Sequence, residues 1–178
     1  NRAQHVAKAL LALGVGPGDR VGYFLQECIE TIAIIIGAAK IGAITAPINS
    51  RFKTTELQQV IVHAGMKVIF TSSPEVGTDF NGLINETFPQ IADSKSKFLD
   101  FPEAPELDAL IMLDHIERPG IFNLSDIGEM AETISDEAVA ASQAGVRVRD
   151  TSIIMYTSGT TAMPKGAMLS HESFSRYA

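Results

Sequence analysis

Few cysteines and few basic residues set the first limits on this chain. The sequence has one cysteine, Cys28, among 178 residues, and it has no tryptophan. A single cysteine excludes an intrachain disulfide and a zinc site built from several cysteines, which fits a reducing, cytoplasmic setting. Lysine and arginine number 14 against 21 aspartate and glutamate residues, a formal net charge of -7. Because nucleic acid and anionic lipid are bound by clusters of basic residues, neither is expected as a partner.

Long apolar runs are missing as well. The longest run, residues 32–39, is too short to span a bilayer and is followed at once by Lys40. The first residues have neither the long apolar stretch nor the small-residue cleavage site of a signal peptide. They have the pattern of a helix that the given sequence enters partway along. Residues 170–178 have the pattern of a helix that is just beginning. We therefore expect a chain without a transmembrane segment that is truncated at both ends.

What is present is the composition and pattern of a folded α/β domain. Apolar residues make up 46% and charged residues 20% of the chain, as in globular proteins. Helices are predicted before Gly14, over 27–41, over 54–64, near 81–92 and once or twice within 125–144, and strands over 20–25, 43–47, 66–71, 109–113 and 151–156. Strands separated by helices of this length predict right-handed βαβ units. The expected fold class is α/β, a layered α/β/α arrangement with a largely parallel sheet.

Some expectations concern single elements. Apolar residues occupy nearly every side of the helix predicted over 27–41, so much of its surface should be buried. Cys28 is then expected to be a small buried apolar group rather than a nucleophile. Thr54 is expected to cap the next helix, with Glu56 in its first turn. The histidines lie far apart in sequence, so we expect them on helix surfaces or in loops rather than in a metal site.

A strand pattern leads into a hydroxyl-rich loop near the carboxyl end. The apolar run 151–156 is followed by the sequence Thr157-Ser158-Gly159-Thr160-Thr161-Ala162-Met163-Pro164-Lys165-Gly166. Small residues let backbone N–H groups point inward, hydroxyls donate hydrogen bonds and one ammonium offsets negative charge, so the loop suits a polyphosphate. Ser, Thr, Gly and Pro are also ordinary surface-loop residues. Composition alone leaves phosphate binding and a solvated loop about even.

Order and spacing decide between these two interpretations. Residues 156–166 follow Tyr-Thr-Ser-Gly-Thr-Thr-x-x-Pro-Lys-Gly, which resembles the signature of the adenylate-forming superfamily. That superfamily includes acyl- and aryl-CoA synthetases, firefly luciferase and the adenylation domains of peptide synthetases. Residues 14–21 resemble its Gly-x-x-x-Gly-Asp-Arg-Val segment, and residues 38–49 resemble its helix-to-strand passage ending in Pro-x-Asn. The resemblance implies that residues 1–178 are part of the amino-terminal AMP-binding domain.

The resemblance also implies an activity and a set of contacts. In this family a carboxylate attacks the α-phosphate of ATP to give acyl-adenylate and pyrophosphate, and acyl-CoA synthetases, including those of fatty acid metabolism, then transfer the acyl group to CoA. The phosphate contacts carried over by the resemblance are Thr157, Ser158, Gly159, Thr160, Thr161, Lys165 and Gly166. They would act by positioning and charge stabilisation. ATP, Mg²⁺ and CoA are implied as cofactors, a carboxylic acid as substrate, and neither a catalytic residue nor a metal ligand is assigned.

Two other nucleotide-binding patterns fit less well. Lys165 lies at the P-loop spacing from Gly159, but Pro164 removes a backbone N–H and Gly166 replaces the hydroxyl that would bind Mg²⁺. The glycines within residues 14–18 follow a helix and precede a strand, the reverse of the dinucleotide-binding context. A P-loop NTPase and a Rossmann oxidoreductase are therefore disfavoured.

Other functions stay open within the resemblance. Family enzymes need further elements for magnesium, ribose, adenine and a catalytic lysine, and none is identifiable here, so the chain alone is expected to be inactive. A noncatalytic nucleotide-binding module and the adenylation domain of a peptide synthetase are the alternatives. Missing elements would cover part of the core, so an exposed apolar patch and self-association are expected. Ala162 stands where many family members have glycine, and we expect the loop to be retained.

Overall fold

Helices and strands alternate along most of the chain. The structure is a computed structural model that describes residues 2–26, 28–72, 79–157 and 164–175. The helices are α1 (Arg2–Ala12), α2 (Ile29–Lys40), α3 (Thr54–Ala64), α4 (Phe80–Thr87), α5 (Leu124–Glu132), α6 (Asp136–Gly145) and α7 (His171–Ser175), with a 3₁₀ turn at Pro89–Asp93. The strands are β1 (Arg20–Phe24), β2 (Ile44–Pro47), β3 (Met66–Thr71), β4 (Ala109–Met112), β5 (Thr151–Thr157) and β6 (Lys165–Ser170).

The described strands form one six-stranded sheet in the order β4-β3-β1-β2-β5-β6. Neighbouring strands from β4 to β5 pair in parallel, and β6 pairs antiparallel with β5 at the edge. Parallel strands need covered faces, and helices connect them here. The predicted α/β fold with a largely parallel sheet is confirmed, and the antiparallel edge strand adds to it.

Two apolar clusters cover the two faces of the sheet. One contains Leu57 of α3 and Ile84 of α4, together with Ile69 of β3. The other contains Ile34 of α2 and Phe70 of β3, together with residues of α1 and α5. Successive residues of a strand point to opposite faces, so β3 contributes to both clusters. The result is the expected three-layered α/β/α core.

Helix α2 departs from its predicted burial. Its inner face is buried, and Gly37 approaches α1 so closely that a Cβ there would lie 2.8 Å from Val6 Cβ. On the outer face, Ile29, Ile32 and Ile36 are exposed by 61%, 57% and 47%. We call these three side chains the isoleucine face. Apolar residues on nearly every side predicted that much of the helix surface is buried, whereas the isoleucine face is exposed in the described part of the chain.

Two further expectations about helix starts were wrong. Cys28 is exposed rather than buried, because it precedes the first residue of α2 and does not lie on its inner face. Thr54 is the first residue of α3 and does not cap it. The cap is formed one residue earlier, where the backbone N–H of Lys53 donates to Glu56 Oε2 at 2.7 Å. Glu56 does lie in the first turn, where a carboxylate is favourable.

The helices predicted in the middle of the chain, within 81–92 and 125–144, have more precise bounds in the structure. The segment 81–92 is divided, because Pro89 has no N–H to donate and disfavours a helical conformation of the residue before it. Helix α4 therefore ends at Thr87 and a 3₁₀ turn follows. The segment 125–144 holds two helices, α5 and α6, the second starting where Ser135 Oγ accepts from the backbone N–H of Ala138.

Candidate functional site

The candidate loop follows β5 at the edge where the parallel strands end. Ile153 of β5 lies opposite Thr45 of β2, so β5 runs in the direction of the central strands. Thr45 Oγ1 also donates to the buried carbonyl of Ser152 at 3.2 Å. Ligands of parallel α/β sheets bind outside the carboxyl ends of the strands, and β5 delivers the loop to that edge.

Pairing between β5 and β6 brings three of the predicted site residues together. Thr157 lies opposite Lys165, and Tyr156 lies opposite Gly166. Thr157 Oγ1 donates to the carbonyl oxygen of Lys165 at 3.4 Å. The chain therefore leaves the sheet at Thr157 and returns to it at Lys165, so both ends of the loop are fixed at one point. Ser158, Gly159, Thr160 and Thr161, also predicted as phosphate contacts, lie outside the described residues.

Lys165 and Thr157 are exposed at this point. Lys165 makes no ion pair with any residue that the structure describes. An ammonium and a hydroxyl at one end of a hairpin can both donate to an anion. This donor set fits a polyphosphate, and the role of these residues as phosphate contacts stays a prediction.

Gly166 lies where the hairpin has no room for a side chain. A Cβ at this position would lie 2.8 Å from Ile154 Cγ2 and 3.4 Å from Tyr156 Cζ. The Tyr156 ring covers the Gly166 backbone across the two strands. Glycine is thus required by packing here, whether or not its backbone contacts a phosphate.

Tyr156 also reaches helix α3, a contact that the sequence does not reveal. Its hydroxyl lies 2.8 Å from His63 Nδ1, and the two rings meet edge to face with centroids 5.8 Å apart. Burial raises the pKa of the Tyr156 phenol, which keeps the hydroxyl protonated at neutral pH. His63 lies on a helix surface, as expected for the histidines, but 93 positions separate it from Tyr156 and no local pattern joins them.

A cavity of about 700 Å³ opens at the same edge of the sheet. The segments that follow β1 and β2 line it, because α2 and α3 depart from these adjacent strands to opposite faces. Its polar lining includes Gln26, Cys28, Thr31 and Asn49, and Met155 of β5 contributes to its apolar lining. The loop ends and this mixed cavity thus lie on neighbouring strands.

The described residues contain neither a cluster of metal ligands nor a helix that could span a membrane. Within these residues, no group of three or more His, Cys, Asp or Glu side chains could hold a metal ion. In the same part of the chain, no helix combines the length and apolar character needed to cross a membrane. The predicted Mg²⁺ therefore has no dedicated cluster of ligands in the described structure.

Several relatives of this chain are CoA ligases. It is 29% identical over 172 residues to the long-chain-fatty-acid–CoA ligase FadD13 of Mycobacterium tuberculosis, covering 96% of this chain and 28% of that one. It is 31% identical over 168 residues to the acyl-CoA ligase sidI of Beauveria bassiana, covering 94% of this chain and 27% of that one. The chain thus spans less than a third of the length of these relatives.

Solved structures share the fold. The inhibitor-bound amino-terminal domain of FACL13 from Mycobacterium tuberculosis superposes with a TM-score of 0.68 at 25% identity, covering 96% of this chain and 36% of that one. The anthranilate CoA ligase AuaEII, solved with anthranoyl-AMP, has a TM-score of 0.75 at 23% identity, covering 97% of this chain and 29% of that one. The family described as AMP-binding enzyme matches residues 1–178. This match spans the whole sequence and confirms the resemblance predicted from residues 156–166, so the chain belongs to the AMP-binding enzyme family.

Proposed function

We propose that this chain supplies the ATP phosphate-binding loop of an acid-thiol ligase. In the proposed reaction a carboxylate oxygen attacks the α-phosphorus of ATP and pyrophosphate leaves. The thiol of CoA then attacks the acyl carbon, and AMP leaves. The observation that carries the proposal is the paired loop end, where Thr157 and Lys165 lie opposite each other at the carboxyl edge of a parallel sheet. CoA ligases among the relatives support the same class of reaction.

The proposed contribution of the described residues is to bind and orient the phosphates. The Lys165 ammonium would offset charge that develops on the leaving pyrophosphate. The Thr157 hydroxyl would exchange its 3.4 Å hydrogen bond to the Lys165 carbonyl oxygen for one donated to a phosphate oxygen. Ser158, Gly159, Thr160, Thr161 and Gly166 complete the proposed set of contacts. Because Thr157 and Lys165 are paired across β5 and β6, these two contacts lie opposite each other before ATP binds.

Mg²⁺, CoA and a cytoplasmic location belong to the proposal as well. In many ATP-dependent enzymes Mg²⁺ is held by one or two carboxylates together with substrate phosphate oxygens and water. CoA is proposed as acceptor from the kind of relatives found. A cytoplasmic location suits an exposed thiol at Cys28, because a reducing compartment keeps it unpaired.

Pyrophosphate exchange into ATP tests the proposed reaction. The complete gene product that contains these 178 residues would be assayed beside the chain itself, with a panel of fatty, aromatic and amino acids. We expect exchange with a fatty or aromatic acid, and about a 10- to 100-fold loss in kcat/KM for Lys165→Met, since charge-assisted hydrogen bonds are lost. Lys95→Met is the matched control, because Lys95 is also exposed but follows the 3₁₀ turn on the β4 side of the sheet.

Each result of this assay selects one of the stated functions. Exchange only with amino acids would favour the adenylation domain of a peptide synthetase. ATP binding without exchange for any acid would favour the noncatalytic nucleotide-binding module. Equal activity of Lys165→Met and Lys95→Met would contradict the proposed phosphate contact.

We also propose that the chain, taken alone, self-associates through the isoleucine face. Three exposed isoleucines on one helix face form a contiguous apolar patch of the kind that mediates association. Sedimentation velocity should show concentration-dependent dimers or larger species, reduced by Ile32→Glu. A monodisperse monomer at all concentrations would contradict this proposal.

A further inference from the structure

Tyr156 links three elements at the base of the candidate loop. Its backbone belongs to β5, its ring lies over Gly166 of β6, and its hydroxyl meets His63 of α3. It directly precedes Thr157, the residue at which the chain leaves the sheet. None of the proposed phosphate contacts uses the phenol, so the contact with α3 has no role in the function described so far.

The geometry is that of a well-formed hydrogen bond. The separation of 2.8 Å between the hydroxyl and Nδ1 is optimal, and the edge-to-face ring contact holds the imidazole in the same orientation. The protonated phenol donates to Nδ1 when His63 is in its Nε2–H tautomer. Tyr156 is half-buried and His63 is exposed, so this bond lies at the protein surface.

Helix α3 is a rigid support for this bond. Its inner residues Leu57, Val60 and Ile61 are buried in the core cluster that also packs against Ile154 and Tyr156. By contrast, the strand β6 that returns from the loop is exposed along most of its length. The hydrogen bond from Tyr156 to His63 therefore ties an exposed hairpin to a buried helix at the point where the loop begins.

We propose that His63 is a positioning residue for the phosphate loop and sets its affinity for ATP through the hydrogen bond to Tyr156. This inference rests on the proposed function of the loop. When the bond is present, the Tyr156 ring lies over Gly166 and the end of the β5–β6 hairpin is tied to α3. When it is removed, the hairpin end is no longer tied to α3, and ATP binding must restore an order that was already present.

The test measures ATP binding and pyrophosphate exchange on the complete gene product with substitutions at the two ends of the bond. His63→Leu and Tyr156→Phe each remove the bond, and Tyr156→Phe retains the ring over Gly166. We expect each to raise the Kd and KM for ATP about three- to tenfold with kcat nearly unchanged, the range that one hydrogen bond supplies. The double variant should be no worse than either single variant.

A conservative variant separates positioning from plain stability. The substitution His63→Asn places a side-chain amide near the position of Nδ1, so this variant should keep Kd within about twofold of the wild type, whereas the similarly sized His63→Leu should not. Kd is measured well below the melting temperature of every variant. If His63→Leu lowers Tm but leaves Kd unchanged, the bond is structural only and the inference is overturned.

Failure of the inference and failure of the proposed function give different results. Wild-type protein that binds ATP but exchanges no pyrophosphate overturns the proposed function, while the Kd values of the variants still test the positioning role. Wild-type protein that does not bind ATP overturns both. Additive losses in the double variant overturn the inference, because two residues that act through one bond cannot lose it twice.

Discussion

Strand β3 lies in the interior of the sheet with both faces covered, whereas β6 lies at the edge with Lys165 to Leu169 exposed. Phe70 of β3 is fully buried, while Met168 of β6 is 65% exposed. Both strands are short and partly apolar, so the difference comes from their surroundings. The interior is stabilised by burial on two faces, and the hairpin is held by its pairing and a few side-chain contacts.

The interior strands and the β5–β6 hairpin therefore have different roles. The interior strands set the direction and spacing of the sheet, and the hairpin presents the donors of the candidate loop. Binding residues are commonly found on exposed segments placed by a rigid scaffold. Stability and ATP binding should therefore respond to different substitutions.

Truncating a core side chain should give the largest loss of stability. Phe70→Ala should lower the free energy of unfolding by about 3–5 kcal/mol, since it leaves a cavity among well-packed neighbours. Met168→Ala on the exposed strand should change it by less than about 0.5 kcal/mol. Urea denaturation followed by circular dichroism measures both free energies of unfolding. Equal losses for the two variants would contradict the contrast between the interior strand β3 and the edge strand β6.

A methyl group added to the hairpin should have an intermediate effect. Gly166→Ala brings a Cβ to 2.8 Å from Ile154 Cγ2, and relieving this contact should cost about 1–3 kcal/mol. Gly16→Ala is the matched control, because a Cβ there meets nothing within 4 Å. We expect the melting temperature to fall only for the first variant. An unchanged melting temperature for Gly166→Ala would mean that the hairpin accommodates the added methyl group without loss of stability.

Charge interactions on a helix surface should contribute less. Burial acts to raise the pKa of the Asp126 carboxyl, but the backbone N–H of Asn123, at 2.8 Å, and the Lys97 ammonium, at 2.6 Å, outweigh it and hold the pKa below its usual value. A carboxylate with a lowered pKa stabilises the fold above about pH 4, and the contribution is lost as the pH falls further. Asp126→Asn should cost about 1 kcal/mol at pH 7 and flatten the acid limb of the stability curve.

The matched control for this substitution lies on the same helix. Glu132→Gln changes an exposed carboxylate at the other end of α5 and should leave stability within about 0.5 kcal/mol. Denaturant titrations between pH 2 and pH 8 compare the variants. Parallel pH curves for Asp126→Asn and the wild type would contradict the assigned contacts.

The smallest effect is expected inside the loop. Ala162 lies outside the described residues, and the resemblance of the loop to the family signature predicts glycine at this position. Ala162→Gly should change the KM for ATP by no more than about threefold, because the two residues differ mainly in backbone freedom. Steady-state exchange kinetics measure it, and loss of activity would contradict the prediction.

The fold was predictable where sequence patterns are local. The run 66–71 predicted β3 at its observed bounds, because it is largely apolar and Gly65, with φ +58°, ends the preceding helix. The loop motif was predictable from the order and spacing of its residues. In both cases the information lies within a short stretch of chain.

Features that depend on distant neighbours were not predictable in this way. The pattern of α2 predicted burial of much of its surface but did not show that the isoleucine face would be exposed, since periodicity shows which residues are apolar and not what covers them. The contact of His63 with Tyr156 joins α3 to β5. It depends on how α3 packs on the sheet, because the two residues are 93 positions apart in sequence. The antiparallel direction of β6 likewise depends on its pairing with β5, which the three-dimensional structure shows.

The join between β2 and β5 has a consequence for how the molecule opens. Parallel pairing at this join aligns Thr45 with Ile153, and one buried side-chain hydrogen bond supports it. Because β6, beyond this join, is exposed at the edge of the sheet, the hairpin can separate by a local fluctuation that leaves the interior strands intact. In hydrogen–deuterium exchange, the amides of β5 and β6 should therefore exchange together and earlier than those of β1 and β3, as a separate unit of the fold.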